Sequence, residues 1–247
     1  IIQPTQTEQL HPTVSVSTTF STTSDYGDGC WDMILISSDA VHFYVRFSRL
    51  LNASTSYFDS LLLPFLDQDV RVAPPCIKLS EDVHVLDIIL RVIYSIAFLQ
   101  PAAVLGTLLN AIEALHKYGI PLDTHAIPGT ILFDGIAAQT HQNALEVYAL
   151  AAKHDLFEMA CNASEHLLRL PLVFLSDEMI SQLGTAYLHM LYSLHLGRVY
   201  LLQRILASPP QCHESTPLCG PSQHQVLQSA WHKVIHRFTN LANPGKS

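Results

Sequence analysis

The chain has 247 residues, 49% of them hydrophobic and 14% charged, which is enough apolar material for one large domain or two small ones around a sizeable core. Its 13 Lys and Arg are spread thinly against 21 Asp and Glu, so the clustered cations with which a nucleic-acid binder displaces phosphate counterions are missing. Full protonation of its 14 His would carry the net charge from −8 to +6, which predicts pH-dependent solubility between about pH 5 and 7.

Residues 1–30 hold Gln, Thr, Ser, Pro and Gly without an apolar period and are expected to form a disordered N-terminal tail. Their first 20 residues lack the basic start and apolar run of a secretory signal, and the absent initiator Met fits trimming. Residues 32–36 and 41–45 are two β-rich runs around the polar turn Ser37-Ser38-Asp39, the pattern of a hairpin. Residues 46–63 read as a helix broken near Asn52 and restarted after Ser54 or Thr55, with Pro64 ending it. A loop over 66–75 leads to a short strand at 76–79.

Ser80 reads as the N-cap of the next helix, with Glu81 and Asp82 in its first turn, where the helix dipole favours anions. Val83, Leu86, Leu90 and Ile93 follow at helical spacing, and Ile88, Ile89 and Val92 make this helix apolar on most sides. Residues 92–112 carry no charge, but Gln100-Pro101 interrupts them. Two soluble helices meeting at a proline account for them better than a membrane span. In the second of these, Leu105, Leu108, Leu109, Ile112 and Leu115 share one face, and Gly119 and Pro121 terminate it. Further helices are expected over 131–139, over 144–154 (started by Asn143 with Glu146), over 156–168, and from Ser176 to an interruption at Gly197, resuming over 198–206. From Ser208 the chain is polar and His-rich, with one last helix expected over 226–238.

The ordered set DMILISSDAVHFYVRFSRLLNASTSYFDSLL (32–62) and IKLSEDVHVLDIILRVIYS (77–95) resembles the opening of a BTB/POZ domain, in a form seen in large fungal families. EALHKYGI (113–120) matches the helix end where that family commonly shows a Lys-Tyr pair before a turn. The resemblance covers about residues 31–122. It implies an α+β fold with a small sheet flanked by a helical cluster, followed by an all-helical extension over 123–207 and a polar tail over 208–247 with one helix. It implies a non-catalytic adaptor whose partners are other proteins, a second copy of itself or a cullin-type ubiquitin ligase scaffold. Two departures weaken the last two. Arg46-Phe47 stands where the family commonly has His-Lys near its shared dimer interface. The cullin-recruiting apolar-x-Glu pattern is approached only by Phe65-Leu66-Asp67. Phe47, Tyr57, Phe58, Phe65, Leu66 and Asp67 are the candidate partner-binding residues, with core packing the alternative reading of Phe47, Tyr57 and Phe58.

The alternative is a zinc-binding scaffold. Cys212, Cys219, His232 and His236 have the spacing C-x6-C-x12-H-x3-H, of which the last two gaps suit a two-Cys two-His finger and the first is too wide. His213 and His224 are spare ligands, and a solvated His-rich tail explains the same residues without metal. For an enzyme, the sequence offers no Gly-x-Ser-x-Gly and no Gly-rich phosphate loop; Cys161, among apolar neighbours, reads as packing. No catalytic residue and no cofactor are therefore expected. Tyr187, Tyr192 and Tyr200 read as helix packing or, failing that, as a recognition stripe. Five scattered Cys, an odd number, point to a reducing compartment, hence an intracellular protein of cytoplasm or nucleus. The sequons at Asn52 and Asn162 fall in expected helices, where glycosylation is not expected.

Overall fold

A computed structural model describes residues 14–24, 30–66, 73–97, 103–209, 211–216 and 219–241. The fold is α+β, with a four-stranded mixed sheet in the order β1-β3-β2-β4 and, among the described residues, eight α-helices.

The hairpin forms as its alternation dictates. β2 (Met33–Ile36) and β3 (Val41–Val45) pair antiparallel, Met33 opposite Val45 and Leu35 opposite Phe43. These four side chains are buried, each contributing about 1.5–3 kcal/mol by leaving water. Ser37 closes the turn, its N–H donating to Val41 O at 3.0 Å and its Oγ accepting from Val41 N at 3.0 Å. Ala40 completes the turn at φ 63°, a left-handed position that usually holds Gly. β4 (Cys76–Lys78) runs parallel to β2 with Leu35 opposite Ile77, so the chain crosses over between β3 and β4, starting with α1 (Phe47–Ala53).

The expected N-terminal tail is ordered where it is described. β1 (Ser15–Val16) pairs parallel with β3, Ser17 N–H donates to His42 O at 2.9 Å, and Tyr44 N–H donates to Phe20 O at 2.9 Å. Phe20 is fully buried, its ring 6.2 Å from Phe43 and edge-on to Tyr94 at 5.4 Å. The buried Arg91 guanidinium fastens the segment, donating to Thr19 Oγ1 at 2.6 Å, to Ala97 O at 2.9 Å and to Asp87 Oδ2 at 2.5 Å. Composition concealed this, because a two-residue strand and one buried ring leave no period to read. The rest of the expected tail, 1–13 and 25–29, lies outside the described residues.

A second correction concerns residues 54–62, which do not restart a helix. Tyr57, Phe58, Asp59 and Ser60 all have left-handed backbones, φ 54° to 64°. Each such non-glycine residue costs about 1–2 kcal/mol. Local bonds offset part of this: Ser54 Oγ accepts from Phe58 N at 2.7 Å while donating to Tyr118 O at 2.6 Å, and Ser56 Oγ accepts from Asp59 N at 3.1 Å. Phe58 stacks on Tyr118, rings 4.2 Å apart and 7° from parallel.

The cap of α2 (Val83–Tyr94) is Asp82 rather than Ser80: its carboxylate accepts from His84 N at 2.8 Å and Val85 N at 2.9 Å. α3 (Leu105–Lys117) packs on α2 and ends as expected at Gly119, where φ is 67°. Ile120 N–H bonds to Leu115 O and Gly119 N–H to His116 O, which together satisfy two terminal carbonyls. The uncharged run 92–112 is thus split between α2 and α3; Gln100 and Pro101 lie outside the described residues. Among the described residues, no helix is long and apolar enough to cross a membrane.

The chain divides into two compact units, Ile1–Gln139 and Thr140–Ser247. The first includes α4 (Leu122–His125) and the start of α5 (Ile131–Lys153), which supply buried Leu122, Ala126, Leu132 and Ile136. Gln139 Nε2 donates to Ala103 O at 2.9 Å. α5 is broken at Asn143 (φ −130°, ψ 33°), the position that the sequence marks as a helix start. The second unit continues with α6 (Phe157–Leu167), α7 (Asp177–Leu206) and α8 (Pro221–Leu241). α7 runs through Gly197 and is kinked instead at Gly184 (φ 64°, ψ 170°). Both sequons lie in helices, Asn52 in α1 and Asn162 in α6.

Candidate functional site

The junction of β3 and α1, where the resemblance places an interface, is assembled from three elements. Asp32 Oδ1 accepts from Phe47 N at 2.6 Å, and Tyr94 Oη accepts from Arg46 N at 2.8 Å, so two N-terminal donors of α1 are met by side chains of other elements. Arg49 lies over the Tyr94 ring at 5.7 Å. Burial raises the Tyr94 hydroxyl above the usual phenol range, which keeps it neutral and able to accept. Phe47 is half-buried here, as is Arg46, whose Nε is shut away from solvent with no hydrogen-bond partner among the described residues.

Beyond α1 the candidate anchors separate. Tyr57 is 46% exposed, Leu63 45% and Leu66 40%, while Phe65 is half-buried. Phe58 is fully buried against Tyr118, in the core packing that is the alternative to an anchor: in the left-handed turn its ring points to the core. Asp67 lies outside the described residues.

Glu81 joins the start of α2 to the end of α3. It accepts from Lys117 Nζ at 2.8 Å, from Ser80 Oγ at 3.0 Å and from the Tyr118 hydroxyl. Burial pushes its carboxyl up, but the bonds from Lys117, Tyr118, its own backbone and Ser80 outweigh that and hold it below the ordinary carboxylate range. Burial and the bond to Glu81 raise Tyr118 well above the ordinary phenol range. This is an interlock between helices, beside a pocket of about 420 Å³ whose lining includes Ser80, Glu81, Glu113 and Lys117.

A cavity of about 580 Å³ lies between the N-terminal segment, α2 and α3, lined among others by Ser17, Val41, His84, Asp87, Arg91 and Thr107. Asp87 and Arg91 form an ion pair in its lining, and Arg91 at the same time holds the segment through Thr19.

In the second unit the three tyrosines have different roles. Tyr187 is buried, donates to Asp155 Oδ1 at 2.8 Å, and accepts the Tyr148 hydroxyl on its carbonyl at 2.8 Å. Tyr192 and Tyr200 are 42% and 62% exposed, with Leu196 (57%) between them at i+4 spacing. Cys161 is on the exposed side of α6 rather than packed; partial burial and Glu158 raise its thiol, which disfavours the nucleophilic thiolate.

The four residues singled out for metal do not meet. His232 and His236 lie on an exposed face of α8, beside Gln228 and Lys233. Cys219 faces His213 and His224 instead, with the three ligand atoms within 4.8 Å of one another. Cys212, adjacent in the chain to His213, is not in this set. The spacing H-x5-C-x4-H was hidden behind the more familiar one, and only the Thr216–Cys219 bridge and the start of α8 bring it together.

No protein-family model matches the chain, and no curated protein matches it.

Proposed function

We propose that this chain is a non-catalytic protein–protein interaction module of BTB/POZ type. What chiefly supports this reading is the topology: a β2–β3 hairpin, then α1, then β4 returning parallel to β2, with α2 and α3 packed on one another next in the chain. That order accompanies the residues that carry the resemblance. The exposed set Tyr57, Leu63 and Leu66, with half-buried Phe65, supplies apolar anchors of the kind that dominate binding energy once water is excluded. The partner is a protein, a second copy of this chain or a cullin-type scaffold met through the 65–67 region. On α7, Tyr192, Leu196 and Tyr200 offer a further stripe at the spacing by which one helix reads another.

The test is sedimentation velocity of the full chain over a range of concentrations, alongside calorimetric titration with an isolated cullin N-terminal domain. Self-association or cullin binding that is lost in Tyr57→Ala/Leu66→Asp supports the reading. A chain that stays monomeric throughout and gives no heat with the cullin domain sinks it.

A further inference from the structure

We propose that His213, Cys219 and His224 form a Zn2+ site that clips the α7–α8 connection to the first turn of α8. Two imidazoles and one thiolate are a donor set that zinc accepts, with the fourth tetrahedral position left to water.

The backbone fixes two of the three donors, Cys219 and His224. Thr216 and Cys219 pair by exchanging N–H···O bonds of 2.9 and 3.1 Å, and Thr216 Oγ1 takes a further bond from Cys219 N at 3.1 Å. Gly220 follows, its N–H donating to Gln223 Oε1 at 3.0 Å and its carbonyl accepting from His224 N at 3.2 Å. This starts α8 and sets the His224 ring against Cys219. The His213 and His224 rings are 4.9 Å apart and perpendicular (89°), so neither stacks on the other.

The protonation pattern favours a cation. His213 Nδ1 is 2.6 Å from Glu214 O. A carbonyl only accepts, so Nδ1 carries the proton and the lone pair lies on Nε2, the orientation that a partnered ligand histidine shows. His224 Nε2 is shut away from solvent and has no hydrogen-bond partner among the described residues. A buried polar atom left that way is destabilising, and coordination to a cation would satisfy it. Zinc–nitrogen and zinc–sulfur bonds of about 2.0 and 2.3 Å set tetrahedral donors roughly 3.3–3.8 Å apart. The observed spread therefore needs to contract by only about 1 Å, within reach of side-chain rotation. On binding, the Cys219 S–H bond breaks, its electron pair goes to zinc, and one proton leaves to solvent.

The site would act on one connection. Trp231, two turns further along α8, already donates to Leu206 O at 3.2 Å at the end of α7. Zinc would add a second fastening at the start of α8, making the α7–α8 connection resistant to cleavage only when metal is present.

The test uses the full chain without a histidine tag, titrated with Co2+ and then Zn2+. Expected are tetrahedral cobalt bands with a thiolate charge-transfer band, saturating at one equivalent, and displacement by Zn2+. Losing even a partner of a ligand costs about 10–100-fold in metal affinity. Cys219→Ser should therefore abolish the charge-transfer band, and Cys219→Ser and His224→Ala should each weaken Zn2+ binding by at least tenfold. His232→Ala/His236→Ala should bind as wild type. Zn2+ should also slow proteolysis between 207 and 220 in the wild type and not in Cys219→Ser. The absence of a saturating one-equivalent band in the wild type overturns the proposal, and so does an undiminished band in Cys219→Ser. The wild-type titration needs no variant, so it decides the matter even where a substitution impairs folding.

Discussion

Asp32, the residue before β2, caps a helix that starts fifteen residues later: its carboxylate accepts the Phe47 backbone N–H at 2.6 Å. The residue at the cap position, Arg46, offers no side-chain acceptor, and its own N–H goes to Tyr94. The sheet and α2 thereby jointly set where α1 begins and how Phe47 is presented.

Asp32→Ala should lower stability by about 0.5–2 kcal/mol, the usual range for a lost N-cap. Tyr94→Phe should cost about 1 kcal/mol by leaving the Arg46 N–H without its acceptor. Urea unfolding followed by circular dichroism measures both. A Asp32→Ala midpoint equal to wild type would mean that the cap contributes nothing.

Phe20→Ala should cost about 3–5 kcal/mol, as for any fully buried aromatic side chain. A residue in a mobile tail would give a change near zero. Arg91→Met should leave most of the core intact but release the segment that Thr19 anchors. The amide of Tyr44, which bonds to Phe20 O, should then exchange faster with solvent.

Two left-handed positions predict opposite signs. A Cβ at Gly119 would overlap Ser56 Oγ and sit 2.9 Å from Ser56 N, so Gly119→Ala should destabilise by more than about 1 kcal/mol. Ala40 holds φ 63° where glycine is the usual residue, so Ala40→Gly should stabilise by about 1 kcal/mol. Differential scanning calorimetry should show the melting temperature falling for the first and rising for the second.

Acid should remove stability in two stages. Burial lowers His195, against the raising effect of its bond to Leu167 O and with Arg198 adding to the fall; burial lowers His125 as well. The unfolded chain then binds these protons first, so stability declines as pH drops below about 6.5. Glu81 is also held low, so its contribution is complete above about pH 4.3 and is lost as pH falls through its folded value. His195→Gln should flatten the upper slope and Glu81→Gln the lower one in unfolding measured against pH. An unchanged upper slope in His195→Gln would place its origin elsewhere.

The sequence was sufficient for what depends on periodicity. Alternation at 33–36 and 41–45 marks a hairpin with one buried face, and the i, i+3, i+4 pattern from Leu105 to Leu115 marks α3. Gly119 ends α3 because only its backbone takes φ 67° without strain, and Asn143 breaks α5 where its spacing to Glu146 suggested a start. Tertiary structure decided the rest. It recruited residues 15–20 as a strand edge, gave the α2 cap to Asp82 so that Glu81 could reach Tyr118, turned Phe58 inward, and set Cys219 against His213 and His224 rather than His232 and His236. Each of these joins a donor to an acceptor, or a ring to a cleft, on another stretch of chain. A run of residues records which of its faces must leave water, but it does not record which distant group will be waiting there once the chain has closed on itself.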